Sequence, residues 1–178
     1  MSIFKCPRNK KAVEKLIFLD IDGVLNSSHD WPENHLSQSL TDNLKHIVNK
    51  TNAKIVLSSS WKNFFADDLA PLNKLGNTLI EHFAKNNLML YAKTPSPNGN
   101  YSMERGFEIK TYLQDHPCDN YVIIDDEIFP DFKSTIDMSK FIRTKSGTRQ
   151  TKVGDEGLTL DLANKAVSIL NSKCIAAP

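Results

Sequence analysis

Leu16-Ile17-Phe18-Leu19-Asp20-Ile21-Asp22-Gly23-Val24-Leu25-Asn26 runs four apolar residues straight into two carboxylates one residue apart and then a glycine. A run this short and this apolar reads as a strand buried on both faces, as in a parallel sheet. Acids at its C-terminal end are costly to desolvate unless something cationic sits beside them, and open α/β sheets bind their ligands at that edge. Alternation points Asp20 and Asp22 the same way, while Gly23 lets the chain turn sharply and bring amide N–H groups toward an anion. The combination suits a metal ion together with a phosphate. The competing reading is that the acids merely end a strand and open a turn, so the rest of the chain must decide.

Outward from this stretch, residues 1–15 form a polar arm with Lys5, Arg8, Lys10, Lys11 and Lys15, and Ser27 to Ser39 is a polar loop holding Trp31-Pro32. Thr41 is expected to N-cap a helix with Leu44, Ile47 and Val48 on one face. Lys54–Leu57 is a second strand, ending in Ser58-Ser59-Ser60-Trp61. The pattern from Phe64 to Phe83 is helical, interrupted near Pro71 and Gly76. Leu88–Tyr91 reads as a third strand, followed by a loop from Thr94 to Asn100. Arg105-Gly106 precedes a helix with Ile109, Tyr112 and Leu113 on one face. Tyr121–Ile124 is a fourth buried strand, ending in Asp125-Asp126-Glu127. Lys140–Arg143 is expected as a fifth strand, and an amphipathic helix from about Thr159 to Leu170 follows. Strands alternating with helices imply a three-layer, Rossmann-like α/β domain with a mostly parallel five-stranded sheet.

With 178 residues the chain is expected to be one domain, 1–178, with a full core. Apolar content of 40% and charged content of 24% exclude disordered and collagen-like classes. A net charge of +1 gives no global field to attract nucleic acid or a membrane surface. Cys6, Cys118 and Cys174 show no Cys-x-x-Cys pattern, and His29, His35, His46, His82 and His116 show no ligand spacing, so a zinc site is not expected. No stretch is long and apolar enough for a signal peptide or a membrane span. A cytoplasmic location is therefore expected, with export by a non-classical route left open. Gly154-Asp155 reads as a turn, and the basic run Arg143, Lys145, Arg149, Lys152 as a solvated loop ahead of a binding patch.

Three buried strands thus end in matched chemistry: a carboxylate pair, a hydroxyl cluster and a second carboxylate pair, with Arg105 between the last two. Strand tips in a parallel sheet share one edge, so these groups can converge. A phosphate brought to this edge would be repelled by its carboxylates, so it would need Mg²⁺, an arginine and hydrogen-bond donors around the phosphoryl oxygens. Mg²⁺ prefers oxygen ligands and retained waters, which suits Asp20, the Asp22 carbonyl, Asp125 and solvent.

Asp20, Asp22, Gly23 and Val24 resemble the first motif of the haloacid dehalogenase (HAD) superfamily. That resemblance implies a nucleophile at Asp20, a general acid/base at Asp22 and Mg²⁺ beside them. The second motif, a phosphate-binding Ser or Thr, falls on Ser58, with Ser59 the register alternative. The third falls on Arg105, with Lys93 the competitor, and the fourth, a metal-holding acid pair, on Asp125 and Asp126. Asp-Gly-Val-Leu-Asn, Ser-x-x-Trp, Arg-Gly and the late Gly157-Leu158-Thr159 also look like the branch containing the HAD domains of Swiss-army-knife RNA repair proteins and certain bacterial effector phosphatases.

The resulting expectation is a Mg²⁺-dependent phosphatase working through an aspartyl-phosphate. The gaps between motifs leave little or no room for a cap domain, so the site should be open to a phosphorylated macromolecule. Near-neutral charge ranks phosphoprotein, phosphotyrosine included, ahead of a nucleic-acid 3′ end. Trp31 and Trp61 are either rim aromatics for such a substrate or core residues. A monomer suffices for this chemistry. A receiver-like signalling module is the rival from another class, and a catalytically dead scaffold is a third. The receiver stands behind because Leu90-Tyr91-Ala92 ends the third strand without the acid that receivers phosphorylate.

Overall fold

The computed structural model describes residues 14–26, 36–97, 103–146 and 155–172. The expectations placed on residues 1–13, Trp31, His29, His35, Arg149, Lys152, Gly154, Cys6 and Cys174 lie outside them.

Five strands, β1 (Lys15–Leu19), β2 (Lys54–Leu57), β3 (Leu90–Lys93), β4 (Asn120–Asp125) and β5 (Phe141–Arg143), form one sheet in the order β3-β2-β1-β4-β5. Every pairing is parallel. Helices α1 (Gln38–Thr51), α2 (Lys74–Lys85), α3 (Arg105–Asp115), the short α4 (Phe132–Thr135) and α5 (Leu160–Asn171) complete the fold. Strand alternation sorts the core into two layers. Ile17, Leu19, Ile55, Leu57, Val122 and Ile124 pack with α1, α2 and α5 on one face. Leu16, Phe18, Val56 and Ile123 pack with Ile109, Tyr112 and Phe132 on the other. This is the expected three-layer α/β architecture.

The order decides against the receiver. Receivers follow the doubly wound order 2-1-3-4-5, whereas here β2 and β3 extend from one side of β1 and β4 and β5 from the other. The direction of strand addition therefore reverses at the β1–β4 pair, and the crevice outside that reversal is where such sheets take ligands.

Local details depart from the sequence expectations for identifiable reasons. Ser37 rather than Thr41 holds the N-cap position of α1; Thr41 lies in the first turn, donating its hydroxyl to Ser37 O at 2.8 Å. Helix α2 starts only at Lys74, because Ser60–Phe64 is a 3₁₀ turn and Phe65 pairs with Pro71 before Asn73 caps the helix through Gly76 N–H at 3.0 Å. β3 starts two residues later than expected. Asn87 is left-handed, and Leu88 N–H bonds back to Phe83 O at 2.9 Å, so Leu88 closes α2 as part of a Schellman motif instead of opening the strand.

Candidate active site

The hydrogen-bond ladder continues one residue beyond the strands. Asp20 N–H donates to Ile124 O at 3.0 Å and Ser58 N–H to Leu19 O at 2.8 Å, which brings Asp20, Ser58 and Asp125 to adjacent strand tips. Oxygens of Asp20, Asp125 and Asp126 lie within 4.8 Å of one another, the first two residues buried and Asp126 half-buried. Gly23 keeps this spacing possible: its φ is +69°, and a Cβ there would stand 2.5 Å from Asp126 Oδ2.

Arg105, the first residue of α3, reaches into the group. Its Nη1 lies 3.4 Å from Asp20 Oδ1 and 3.2 Å from Asp125 Oδ2, it also donates to the Ser58 carbonyl, and the guanidinium lies over the Phe129 ring. Gly106 lets α3 approach closely, since a Cβ there would collide with the Thr135 hydroxyl. Lys93, the competitor, is engaged elsewhere: its ammonium donates to Phe65 O at 2.7 Å and pairs with Asp67 at 3.3 Å.

Both serines stand at the site in different roles. The Ser59 hydroxyl bonds Asp20 and accepts from Trp61 N–H at 3.3 Å. The Ser58 hydroxyl is buried without a hydrogen-bond partner among the described residues, which leaves it available to an incoming oxygen.

Asp22 stands apart from the three acids through its side chain. Oδ2 accepts the Trp61 indole N–H at 2.9 Å and Oδ1 accepts the Asn26 amide at 2.8 Å, while Asn26 Oδ1 takes Gly23 N–H at 2.9 Å. Trp61 is therefore neither a rim aromatic nor a plain core residue: it is 4% exposed, with its one polar atom spent on Asp22.

A buried ion pair, unforeseen in the sequence, supports Arg105. Lys62 and Glu108 meet at 2.6 Å, both almost fully buried; Glu108 also lies 3.8 Å from Arg105 Nε, and Lys62 donates to Pro95 O at 3.2 Å. The one available signal was the spacing of Glu108, three residues after Arg105 on a helix.

Electrostatics follow from this crowding. Burial pushes Asp20 up to about 6, opposed by Arg105, and pushes Asp125 up to about 8, reinforced by the neighbouring Asp20 charge. Burial raises Asp126 as well, and burial lowers the Lys62 ammonium against the pull of Glu108. Four carboxylates (Asp20, Asp125, Asp126, Glu108) face two cations (Arg105, Lys62), an excess of two negative charges when all are ionised. An all-oxygen cluster with that excess fits a hard divalent cation such as Mg²⁺.

Beside Asp126, a cavity of about 610 Å³ is lined by Asp126, Glu127, Arg143, Thr144, Lys145 and Ser146. Arg143 Nε donates to Asp126 O at 3.0 Å and the Thr144 hydroxyl to Gly23 O at 2.8 Å, so this wall is tied to the acids. The Gly157-Leu158 segment docks on the same loop, Leu158 N–H donating to Val24 O at 2.9 Å.

The family model for the HAD domain in Swiss Army Knife RNA repair proteins matches residues 16–152, well over half of the chain. The chain belongs to this HAD family. No curated protein and no solved structure matches it. Membership makes the HAD domain a hydrolase of the phosphatase type, and its buried acid cluster is in keeping with the family's general use of Mg²⁺. Among the described residues, no helix of this HAD domain is long and apolar enough to cross a membrane.

Proposed function

We propose that the protein is a Mg²⁺-dependent phosphomonoester hydrolase working through an aspartyl-phosphate on Asp20. The observation that carries this is the convergence of Arg105 on Asp20 and Asp125 beside the serine hydroxyls at the β1–β4 crevice. Asp20, Asp125 and Asp126 would hold the metal ion, with the Asp22 carbonyl as a further ligand. When bound, Mg²⁺ offsets charge on the phosphoryl oxygens and lets an anionic nucleophile approach an anionic substrate.

The protein's own groups then divide the work. Asp20 attacks phosphorus as the bond to the leaving oxygen breaks. Protonated Asp22 gives its proton to that oxygen and becomes a carboxylate. Water next attacks the phosphorus of the aspartyl-phosphate, its proton passes to Asp22, and the Asp20 carboxylate departs, restoring both groups. Arg105 and the Ser58 hydroxyl donate to the phosphoryl oxygens throughout, while the Ser59 hydroxyl holds Asp20.

For the substrate we favour the terminal phosphate of a nucleic acid over a phosphoprotein, reversing the order suggested by net charge. The matched family is named for RNA repair proteins. Trp61 is buried against Asp22 and offers no ring for a phosphotyrosine, and the cavity beside Asp126 is walled by charged and hydroxyl side chains. The described segments between strands hold single helices and turns, which keeps a macromolecular end within reach.

The test is a parallel panel of 3′-phosphorylated oligonucleotides, phosphotyrosine and phosphoserine peptides and sugar phosphates, with and without EDTA. We expect the oligonucleotide to give the highest kcat/KM, and Asp20→Asn to abolish turnover with the fold retained. Activity undiminished by EDTA, or a fully active Asp20→Asn protein, would remove the mechanism. A win for a peptide would reverse the ranking of substrates while leaving the mechanism standing.

A further inference from the structure

A general acid acts in one direction only if its carboxyl is held. Asp22 lies at a turn, half-exposed, and its own backbone does not fix χ1 or χ2. Two side chains supply that restraint. The indole N–H of Trp61 occupies one oxygen at 2.9 Å and the Asn26 amide the other at 2.8 Å. Each donor is itself anchored. Trp61 is buried in the Ser60–Phe64 turn, packed at a ring-centroid distance of 5.7 Å against Phe64, with its backbone N–H on the Ser59 hydroxyl that also bonds Asp20. Asn26 is held by Gly23 N–H. One turn thus couples the orientation of both carboxylates.

We infer that Trp61 is a positioning residue for proton transfer: its indole N–H aims the Asp22 carboxyl at the leaving oxygen and so sets how poor a leaving group the enzyme can expel. The inference rests on the phosphatase reading and on Asp22 as its acid. Each Asp22 oxygen that accepts one hydrogen bond keeps a second lone pair, so the clamp leaves room for the transferred proton. An indole donates and cannot accept or ionise, which makes it a fixed restraint with no competing proton chemistry.

The consequence separates aiming from mere support. Leaving oxygens that depart readily as anions need no proton, whereas poor leaving groups do. The test compares kcat/KM for 2,4-dinitrophenyl phosphate and phenyl phosphate in the wild type, Trp61→Phe and Asp22→Asn, since kcat/KM covers the step that expels the alcohol. Trp61→Phe deletes the N–H and keeps a buried ring. It should lower kcat/KM for phenyl phosphate about tenfold to a hundredfold, the scale of a disturbed general acid, and change the dinitrophenyl ester less than about threefold. Within one variant the ratio of the two substrates is independent of how much protein is folded. Equal losses on both esters in Trp61→Phe, alongside a selective loss in Asp22→Asn, would overturn the inference and leave Asp22 as the acid. No selective loss in Asp22→Asn would remove the acid role itself, and a wild type inactive on both esters and on every member of the substrate panel would remove the phosphatase reading, the inference falling in either case.

Discussion

Arg105 is the residue on which the charge balance of the site turns, because one guanidinium contacts Asp20, Asp125 and the Ser58 carbonyl at once. A lysine presents a point charge on a flexible stem and reproduces neither the fork nor the stacking over Phe129. Arg105→Lys should therefore lose about 2 to 4 kcal/mol of transition-state stabilisation in kcat/KM, as for a preorganised oxyanion donor. Lys93→Ala, whose ammonium is engaged with Phe65 O and Asp67, should stay within about threefold by the same measurement. A severe Lys93 variant beside a mild Arg105 variant would return the third motif to the loop after β3. The four acids were legible in the sequence because a buried strand followed by a carboxylate is a local pattern. Trp61 and Asn26 were legible only as residue types: what makes them matter is a contact with Asp22, and the indole contact exists only once β1 and β2 lie side by side.

At the scale of elements, the Ser60–Phe64 turn and α3 are joined under the site by the Lys62–Glu108 pair. Removing one member leaves the other charge buried without its partner, which typically costs about 3 to 5 kcal/mol. Lys62→Met and Glu108→Leu should each lower stability on that scale in urea unfolding. The double variant should lose less than the sum of the two, and less than either single if the apolar pair packs well. Strict additivity in the double-mutant cycle would mean that the contact contributes nothing beyond its separate parts. The sequence announced α3, α5 and all five strands, since periodicity reports burial directly. It misplaced the starts of α1, α2 and β3, where the extended backbone at Ser37, the side-chain cap from Asn73 and the left-handed Asn87 set the boundary, and these are backbone decisions that hydrophobic pattern does not record.

For the whole molecule, the acid cluster makes stability depend on pH and metal together. Asp20 and Asp125 have folded-state values raised to about 6 and about 8, above the ordinary 3.8, chiefly by burial. Between those limits the folded protein binds more protons than the unfolded chain, so without metal their contribution to stability is full at the acid end and is lost as pH rises toward 8. Mg²⁺ competes with those protons, so the rise in Tm on adding it to EDTA-treated protein should be larger at pH 8 than at pH 6. Calorimetry at the two pH values checks both statements. A metal-free Tm that climbs steadily from pH 5 to pH 8, or a metal-induced gain that is larger at pH 6, would contradict this placement of the charges.

The strand order also has a consequence for how the chain comes together. β1 pairs with β2 across the crossover that carries α1, and with β4 only after most of the chain has been made, since Leu19 is matched to Ile124. Asp20 therefore leaves the ribosome long before Arg105 and Asp125 exist to complete its surroundings. Pairings of such long sequence separation close late and slowly. The half-sheet β1–β2–β3 can assemble while the tip of β1, its open edge, still faces water, and the seam between β1 and β4 closes later. Asp20 lies on one side of that seam and Asp125 and Asp126 on the other, so a chain arrested before the seam closes retains much of its core without an assembled acid cluster.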